Sequence, residues 1–328
     1  MICLQFTNEK GVQQLPISLS GNEFFYFYEV KKLFVMVGPT AVGKTATAIS
    51  VAEKLRTEII SADSRQIFKE LNIGTAKPSP EELKRITHHF IGNKSIHENY
   101  DAGQYGRDAL ALINKLFEKY DWLVMVGGSG LYIKAALEGF DEMPDVPEGL
   151  REKITEEYQA KGLTWLQEEV EQADPDFFST VDRQNPQRLM RALELIRSSG
   201  KTIQSLRVKK KPELPFEVIK MGLNISREQL YERIDSRMDK MIEIGLFNEA
   251  KEFYPYKNLN ALQTVGYREI FDHFDGLYDY DEAVRLLKRN SRRYAKRQLT
   301  WFTRDPEISW FENEKDILNW VESKSVSR

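Results

Sequence analysis

An α/β fold, with a parallel sheet carrying helices on both faces, is the architecture this sequence predicts. Three observations predict it. Residues 33–37, 58–62 and 122–126 are short apolar runs, stopped by glycine or by Asp63-Ser64. They are continuous rather than alternating, the mark of strands buried on both faces. Residues 44–55 and 104–120 repeat at helical spacing between them, so strand, helix and strand follow one another as in a doubly wound sheet.

The remaining elements follow in order. Residues 1–32 form an extension whose structure the pattern leaves open. Strand–helix alternation covers 33–142 and stops at Met143-Pro144-Asp145-Val146-Pro147. Residues 143–212 then read as a helical insertion rich in Glu, Gln and Arg, closed by Lys209-Lys210-Lys211-Pro212 and Pro215. Residues 216–223 resume a strand pattern, which returns the chain to the sheet. Ser226, with Gln229 three residues on, marks a helix start, and the chain to 311 is mostly helical. Residues 312–328 are assigned as a C-terminal tail.

The chain has 328 residues, 41% hydrophobic and 30% charged, enough to bury a large core without disulfide or metal staples. Cys3 is the single cysteine, which excludes a disulfide framework and a cysteine-based zinc site. His88, His89, His97 and His273 lack metal-ligand spacing and are read as surface or packing residues. The aromatic stretch Phe24-Phe25-Tyr26-Phe27-Tyr28 follows Glu23 and has no small-residue cleavage site after it, so no signal peptide is expected. No apolar run approaches the roughly 20 residues of a membrane span. The expectation is a cytoplasmic protein with no membrane partner.

Gly38-Pro39-Thr40-Ala41-Val42-Gly43-Lys44-Thr45 fits G-x-x-x-x-G-K-[ST] in full, between a strand and a helix. Its glycines let backbone N–H groups turn around phosphate oxygens, and the helix behind adds its positive end. Lys44 supplies a point charge and Thr45 a hydroxyl for Mg²⁺. The fold class is therefore that of P-loop NTPases, yet strand 122–126 ends in Gly127-Gly128-Ser129-Gly130 rather than in a metal-binding aspartate. That departure argues against a plain ATPase or GTPase. The acid falls instead at Asp63, at the carboxyl end of its strand, where open α/β sheets place their ligand crevice. From the residues alone Asp63 is a turn cap, a general base or a metal ligand through water. Ser129 faces the same crevice and offers a hydroxyl to a leaving oxygen.

Seven ordered motifs resemble the bacterial tRNA dimethylallyltransferases. They are the phosphate loop, Ala62-Asp63-Ser64-Arg65-Gln66, Gly74-Thr75-Ala76-Lys77-Pro78 and Gly127-Gly128-Ser129-Gly130-Leu131-Tyr132, followed by residues 185–194, Val265-Gly266-Tyr267-Arg268 and residues 295–301. The resemblance spans about residues 33–311. It implies transfer of a dimethylallyl group from its diphosphate to the exocyclic amine of an adenosine beside the tRNA anticodon, with Mg²⁺ as cofactor and a monomeric enzyme. The missing strand-end aspartate then has a reason, because the loop holds a leaving group and no nucleotide is hydrolysed.

Carried over by motif, the resemblance assigns the diphosphate to Gly38, Thr40, Ala41, Val42, Gly43, Lys44, Thr45 and Arg188. Catalysis goes to Asp63 as base, with Lys44, Ser129 and Arg237 around the departing pyrophosphate. It assigns tRNA contact to Asp63, Ser64, Arg65 and Gln66, to Gln187, Arg188, Leu189, Met190 and Arg191, to Val265, Gly266, Tyr267 and Arg268, and to Arg292, Arg293, Lys296, Arg297 and Gln298. The insertion, 143–212, is expected to embrace the anticodon stem as a moving unit. This chain departs from the pattern in carrying Ser129 for a usual Thr, Phe68 for a frequent Tyr, and Tyr100-Asp101-Ala102-Gly103 for Tyr-Ser-Val-Ala.

Charge distribution supports a polyanionic partner. Residues 285–304 hold eight cations and no acid, so the other 308 residues carry a net −11. Their three-to-four-residue spacing makes one basic helix face, without the Glu that solvated faces interleave. Trp301 and Phe302 are read as core. A small-molecule kinase would share the phosphate loop but has no use for the basic helix. An RNA-binding NTPase has no use for Asp63 as base. A prenyltransferase of free adenine nucleotides needs neither the insertion nor the basic tract.

Overall fold

The computed structural model describes residues 13–19, 22–28, 30–141, 143–207 and 212–326. The chain divides into two compact units, Met1–Leu137 with Glu213–Arg328, and Glu138–Pro212. Within the N-terminal extension, β1 (Gln13–Leu19) and β2 (Asn22–Tyr28) pair antiparallel as a hairpin of their own.

Six further strands make one all-parallel sheet in the order β5-β4-β6-β3-β7-β8. They are β3 (Lys32–Val37), β4 (Ile59–Ser61), β5 (His88–His89), β6 (Trp122–Val126), β7 (Glu217–Leu223) and β8 (Ser309–Phe311). Alternation within β3 explains its unbroken apolarity. Leu33, Val35 and Val37 enter one buried cluster, while Phe34 and Met36 enter the other. Helix α1 (Lys44–Leu55) packs Ala48, Ile49, Val51 and Ala52 on the Phe34 face. A short α2 (Pro80–Arg85) begins in a capping box made by Ser79 and Glu82. Helix α3 (Ala102–Leu116) packs Tyr105, Ala109 and Ile113 on the Leu33 face. Helices on both faces are what a sheet apolar on both faces requires.

After α4 (Gly130–Glu138) the chain enters the second unit. There α5 (Leu150–Ala173), which breaks at Gly162 with φ +81°, packs with α6 (Pro175–Thr180), α7 (Pro186–Ser199) and α8 (Ile203–Leu206). Ile154, Leu166, Val170, Leu189 and Leu193 form its core. Buried Asp174 ties two segments together, accepting from Phe177 N at 3.0 Å and Ile203 N at 2.7 Å.

The first unit closes with α9 (Arg227–Glu243), α10 (Leu246–Phe253), α11 (Tyr267–Phe274), α12 (Tyr280–Phe302) and α13 (Glu314–Val326). Ser226 caps α9 through Gln229 N, as its spacing predicts. Of the segment 312–328 assigned as a tail, residues 314–326 form a packed helix. Helix α13 buries Ile317 and Val321 completely in the same cluster as α1, and β8 just before it pairs with β7. Among the described residues no helix is long and apolar enough to cross a membrane.

Candidate active site

Strand order creates the site. Because β4, β6 and β3 are adjacent, the loops at their carboxyl ends, though distant in sequence, line one cleft of about 380 Å³. The β3 loop contributes Thr40, Ala41, Gly43, Lys44 and Thr45. Gly38 (φ +147°) has no room for a side chain, since a Cβ would lie 2.4 Å from the Leu223 carbonyl oxygen, and Gly43 turns into α1 with φ +112°. No side chain caps α1, so its first-turn N–H groups are available to an anion.

Side chains from distant helices brace this loop. Gln298 of α12, buried, accepts from Thr40 N at 2.8 Å and donates to Gly128 O at 2.9 Å, clamping the β3 and β6 loops together. From α9, Arg237 donates to the Thr40 hydroxyl at 3.2 Å and Arg233 to Val42 O at 3.0 Å. Lys44 Nζ donates to Pro39 O at 2.7 Å. Burial first, then Arg237, pushes Lys44 down to about 7, against the opposing pull of Asp63.

Asp63 is both turn cap and cleft residue. Its Oδ1 accepts from Arg65 N at 2.9 Å and Gln66 N at 3.2 Å, which fixes the carboxyl plane. Its Oδ2 has no hydrogen-bond partner among the described residues. Lys44 and Arg237 feel the Asp63 charge, as do Arg65 and Tyr294. Asp63 thus shares one cleft with Lys44 and Arg237 and with Arg65, Gln66, Val265, Gly266 and Tyr294. Burial lowers the Arg65 and Arg237 guanidiniums despite that carboxylate. Ile234, Met238 and Met241 of α9 add an apolar wall.

A phosphate cradle, a carboxylate with one free oxygen and an apolar wall in one cleft accord with the relatives the chain matches. Residues 66–305 match the family model described as IPP transferase. The chain belongs to the IPP transferase family. It is 49% identical over 296 residues to the tRNA dimethylallyltransferase of Cytophaga hutchinsonii, covering 90% of this chain and 97% of that one. The tRNA dimethylallyltransferase of Christiangramia forsetii is 50% identical over 295 residues, covering 89% and 98%. The crystal structure of the full-length tRNA isopentenylpyrophosphate transferase from Bacillus halodurans superposes with TM-score 0.66 at 35% identity, covering 90% of this chain and 96% of that one.

The structure shows what several of the residues expected at the site contact within the protein. The Ser129 hydroxyl accepts from Ser64 N at 2.9 Å and donates to Ser64 Oγ at 3.1 Å, so it braces the Asp63 turn and does not line the cleft. Tyr267, expected on the RNA, is fully buried and donates to Glu249 at 2.6 Å. Leu189 and Met190 belong to the core of the helical unit. Gln298 is spent on the loop clamp. Gln187, Arg188 and Arg191 are exposed on α7, Arg191 paired with Glu194 at 3.0 Å.

The basic helix is also divided. Arg285 pairs with Glu282, Lys288 with Asp239 and Arg292 with Asp235, whereas Arg293, Lys296 and Arg297 are exposed without a carboxylate partner among the described residues. The sequence has the pairing acids, but two of them lie on α9, beyond any local spacing. Trp301 is not core. It is 40% exposed and lies against Gly130, whereas Phe302 is buried. Sequence reasoning passed over Tyr294, Glu249 and the α9 wall. The spacing of Leu230, Ile234, Met238 and Met241 signals an apolar face, though not that its end lines a cleft.

Proposed function

We propose that this chain transfers a dimethylallyl group from dimethylallyl diphosphate to the exocyclic amine of the adenosine adjacent to the anticodon of tRNA, releasing diphosphate. The observation that carries the reading is Asp63, which stands in one cleft with the phosphate loop and keeps one oxygen free. The diphosphate occupies the loop of Thr40–Thr45 and the α1 N-terminus, with Lys44 and Arg237 at its oxygens. Departure of an allylic diphosphate builds charge on those oxygens, and fixed cations in a buried cleft stabilise it without reorganising. The prenyl carbons face Ile234, Met238 and Met241. As the amine attacks the allylic carbon, Asp63 accepts its proton, while Ser129 and Ser64 hold the turn that aims the carboxylate.

The donor set suits Mg²⁺. Thr45 would hold it through one hard hydroxyl oxygen at the α1 N-terminus, beside the diphosphate. When bound, Mg²⁺ neutralises diphosphate charge. Arg293, Lys296 and Arg297 contact the RNA backbone, and the target base leaves its loop to reach the cleft. Arg188 and Arg191 of the helical unit add further tRNA contacts. The enzyme acts as a cytoplasmic monomer.

The test is label transfer from radiolabelled dimethylallyl diphosphate to unmodified tRNA. Asp63→Asn is expected to lower kcat by about 10²–10⁴-fold with diphosphate affinity retained. An Asp63→Asn enzyme with wild-type kcat removes the base from the mechanism. Label reaching only free adenine nucleotides overturns the tRNA reading.

A further inference from the structure

The motif Gly74-Thr75-Ala76-Lys77-Pro78 takes no part in the chemistry above, yet Gly74, Thr75, Ala76 and Pro78 line the cleft with Asp63. Glu249 of α10, buried and outside the cleft, fastens this loop from behind. Its Oε2 accepts from Asn72 N at 3.0 Å and Ile73 N at 2.8 Å, and its Oε1 from Gly74 N at 2.8 Å and the Tyr267 hydroxyl at 2.6 Å. Three consecutive backbone N–H groups cannot pair with one another, and the two oxygens of one carboxyl group satisfy all three. Tyr267 closes the other side, for a Cβ at Gly74 would lie 2.5 Å from its ring.

The fastened loop meets the Asp63 turn through Gln66. Gln66 Nε2 donates to Thr75 O at 3.2 Å and Ala76 O at 3.0 Å, while Gln66 N donates to Asp63 Oδ1 at 3.2 Å. Gln66 thus belongs to the Asp63 turn by its backbone and to the Gly74 loop by its side chain. Hydrogen bonds and short stretches of chain join Glu249 to the carboxyl group of Asp63. None of them passes through the phosphate loop, which Gln298, Arg237 and Arg233 brace from α12 and α9.

We infer that Glu249 is a positioning residue for the transfer, setting through the Gly74 loop and Gln66 where the Asp63 carboxyl group stands in the cleft. The inference rests on the transferase reading above and deepens it. A base must lie within hydrogen-bond reach of the proton it takes, and a misplacement of about 1 Å costs up to about 10²-fold in rate. Glu249 therefore acts on the rate of transfer and not on the hold on diphosphate.

The experiment measures label transfer to saturating unmodified tRNA, and calorimetric binding of inorganic pyrophosphate with Mg²⁺. It runs as a cycle of wild type, Glu249→Gln, Asp63→Asn and the double variant. Glutamine keeps the shape of Glu249 but replaces one acceptor oxygen by an N–H₂ group, so at least one loop N–H faces a donor. Glu249→Gln is expected to lower kcat about tenfold and to leave pyrophosphate affinity unchanged. On Asp63→Asn it should lower kcat no further, because a residue acting through Asp63 has nothing left to aim. A loss of merely structural origin would multiply there instead. Gln66→Ala breaks the link at the cleft, away from the buried carboxyl group, and should give the same kcat loss and the same silence on Asp63→Asn. Wild-type kcat in Glu249→Gln or in Gln66→Ala, losses that multiply, or a pyrophosphate affinity that falls with kcat overturn the inference. If Glu249→Gln does not fold, Gln66→Ala alone decides. Failure of wild type to label tRNA overturns the transferase reading itself, and Asp63→Asn at wild-type kcat removes its base.

Discussion

Lys44 donates to the Pro39 carbonyl oxygen at 2.7 Å, and burial together with Arg237 brings its pKa to about 7 from an ordinary 10.5. Between those two values the unfolded chain holds a proton that the folded chain lacks, so stability from this group rises with pH across that window. Below pH 7 both states are charged and the cost of burying the ammonium is fully present. On the function proposed above, a bound diphosphate supplies counter-charge to the Lys44 ammonium. Binding at pH 8 should therefore load a proton onto Lys44, and at pH 6 it should load almost none. Calorimetry in two buffers of different ionisation enthalpy measures the uptake. Wild type should take up more at pH 8 than at pH 6, and Lys44→Met should lose that difference and bind at least about tenfold more weakly. Equal uptake by the two proteins would remove Lys44 from the ligand.

At the level of the element, α12 works differently along its length. Its first turns spend their cations inside the protein, Arg285 on Glu282, Lys288 on Asp239 and Arg292 on Asp235. Its later turns turn Arg293, Lys296 and Arg297 to solvent, while Gln298 and Tyr294 face the cleft. One helix thus joins an exposed basic surface to the phosphate loop. Replacing Lys296 and Arg297 by Ala should flatten the plot of log tRNA affinity against log salt by about 0.7–0.9 per cation, because each phosphate contact releases counterions. Arg292→Ala should leave that slope unchanged and act on stability instead. Anisotropy titrations at several salt concentrations decide it, and a slope that falls with Arg292 as much as with Lys296 would return the whole face to the RNA.

For the whole molecule, the C-terminal segment is part of the frame that carries the phosphate-loop motif. Ile317 and Val321 of α13 are fully buried beside Ile49 and Ala52 of α1, the helix that follows the phosphate loop. Lys54 near the end of α1 also pairs with Glu322 at 3.0 Å. Ile317→Ala should cost about 2–5 kcal/mol in urea unfolding, the range for a large-to-small change in a packed core. A loss below about 1 kcal/mol would show α13 to be peripheral.

The sequence by itself determined the sheet's inner strands, the phosphate loop, the family and Asp63. Each of these depends on a short contiguous pattern, such as an unbroken apolar run, paired glycines before Lys44 or an acid at a strand end, and local patterns survive without coordinates. The tertiary structure decided what depends on strand order and on packing across long separations. It placed Lys44, Asp63 and Gly128 in one cleft through the order β4-β6-β3. It set Gln298 and Ser129 as braces of the loops around the cleft, and Tyr267 as a buried partner of Glu249. Helical periodicity names the face a residue occupies, but only the neighbour packed against that face decides whether its side chain meets a core, a carboxylate or a ligand.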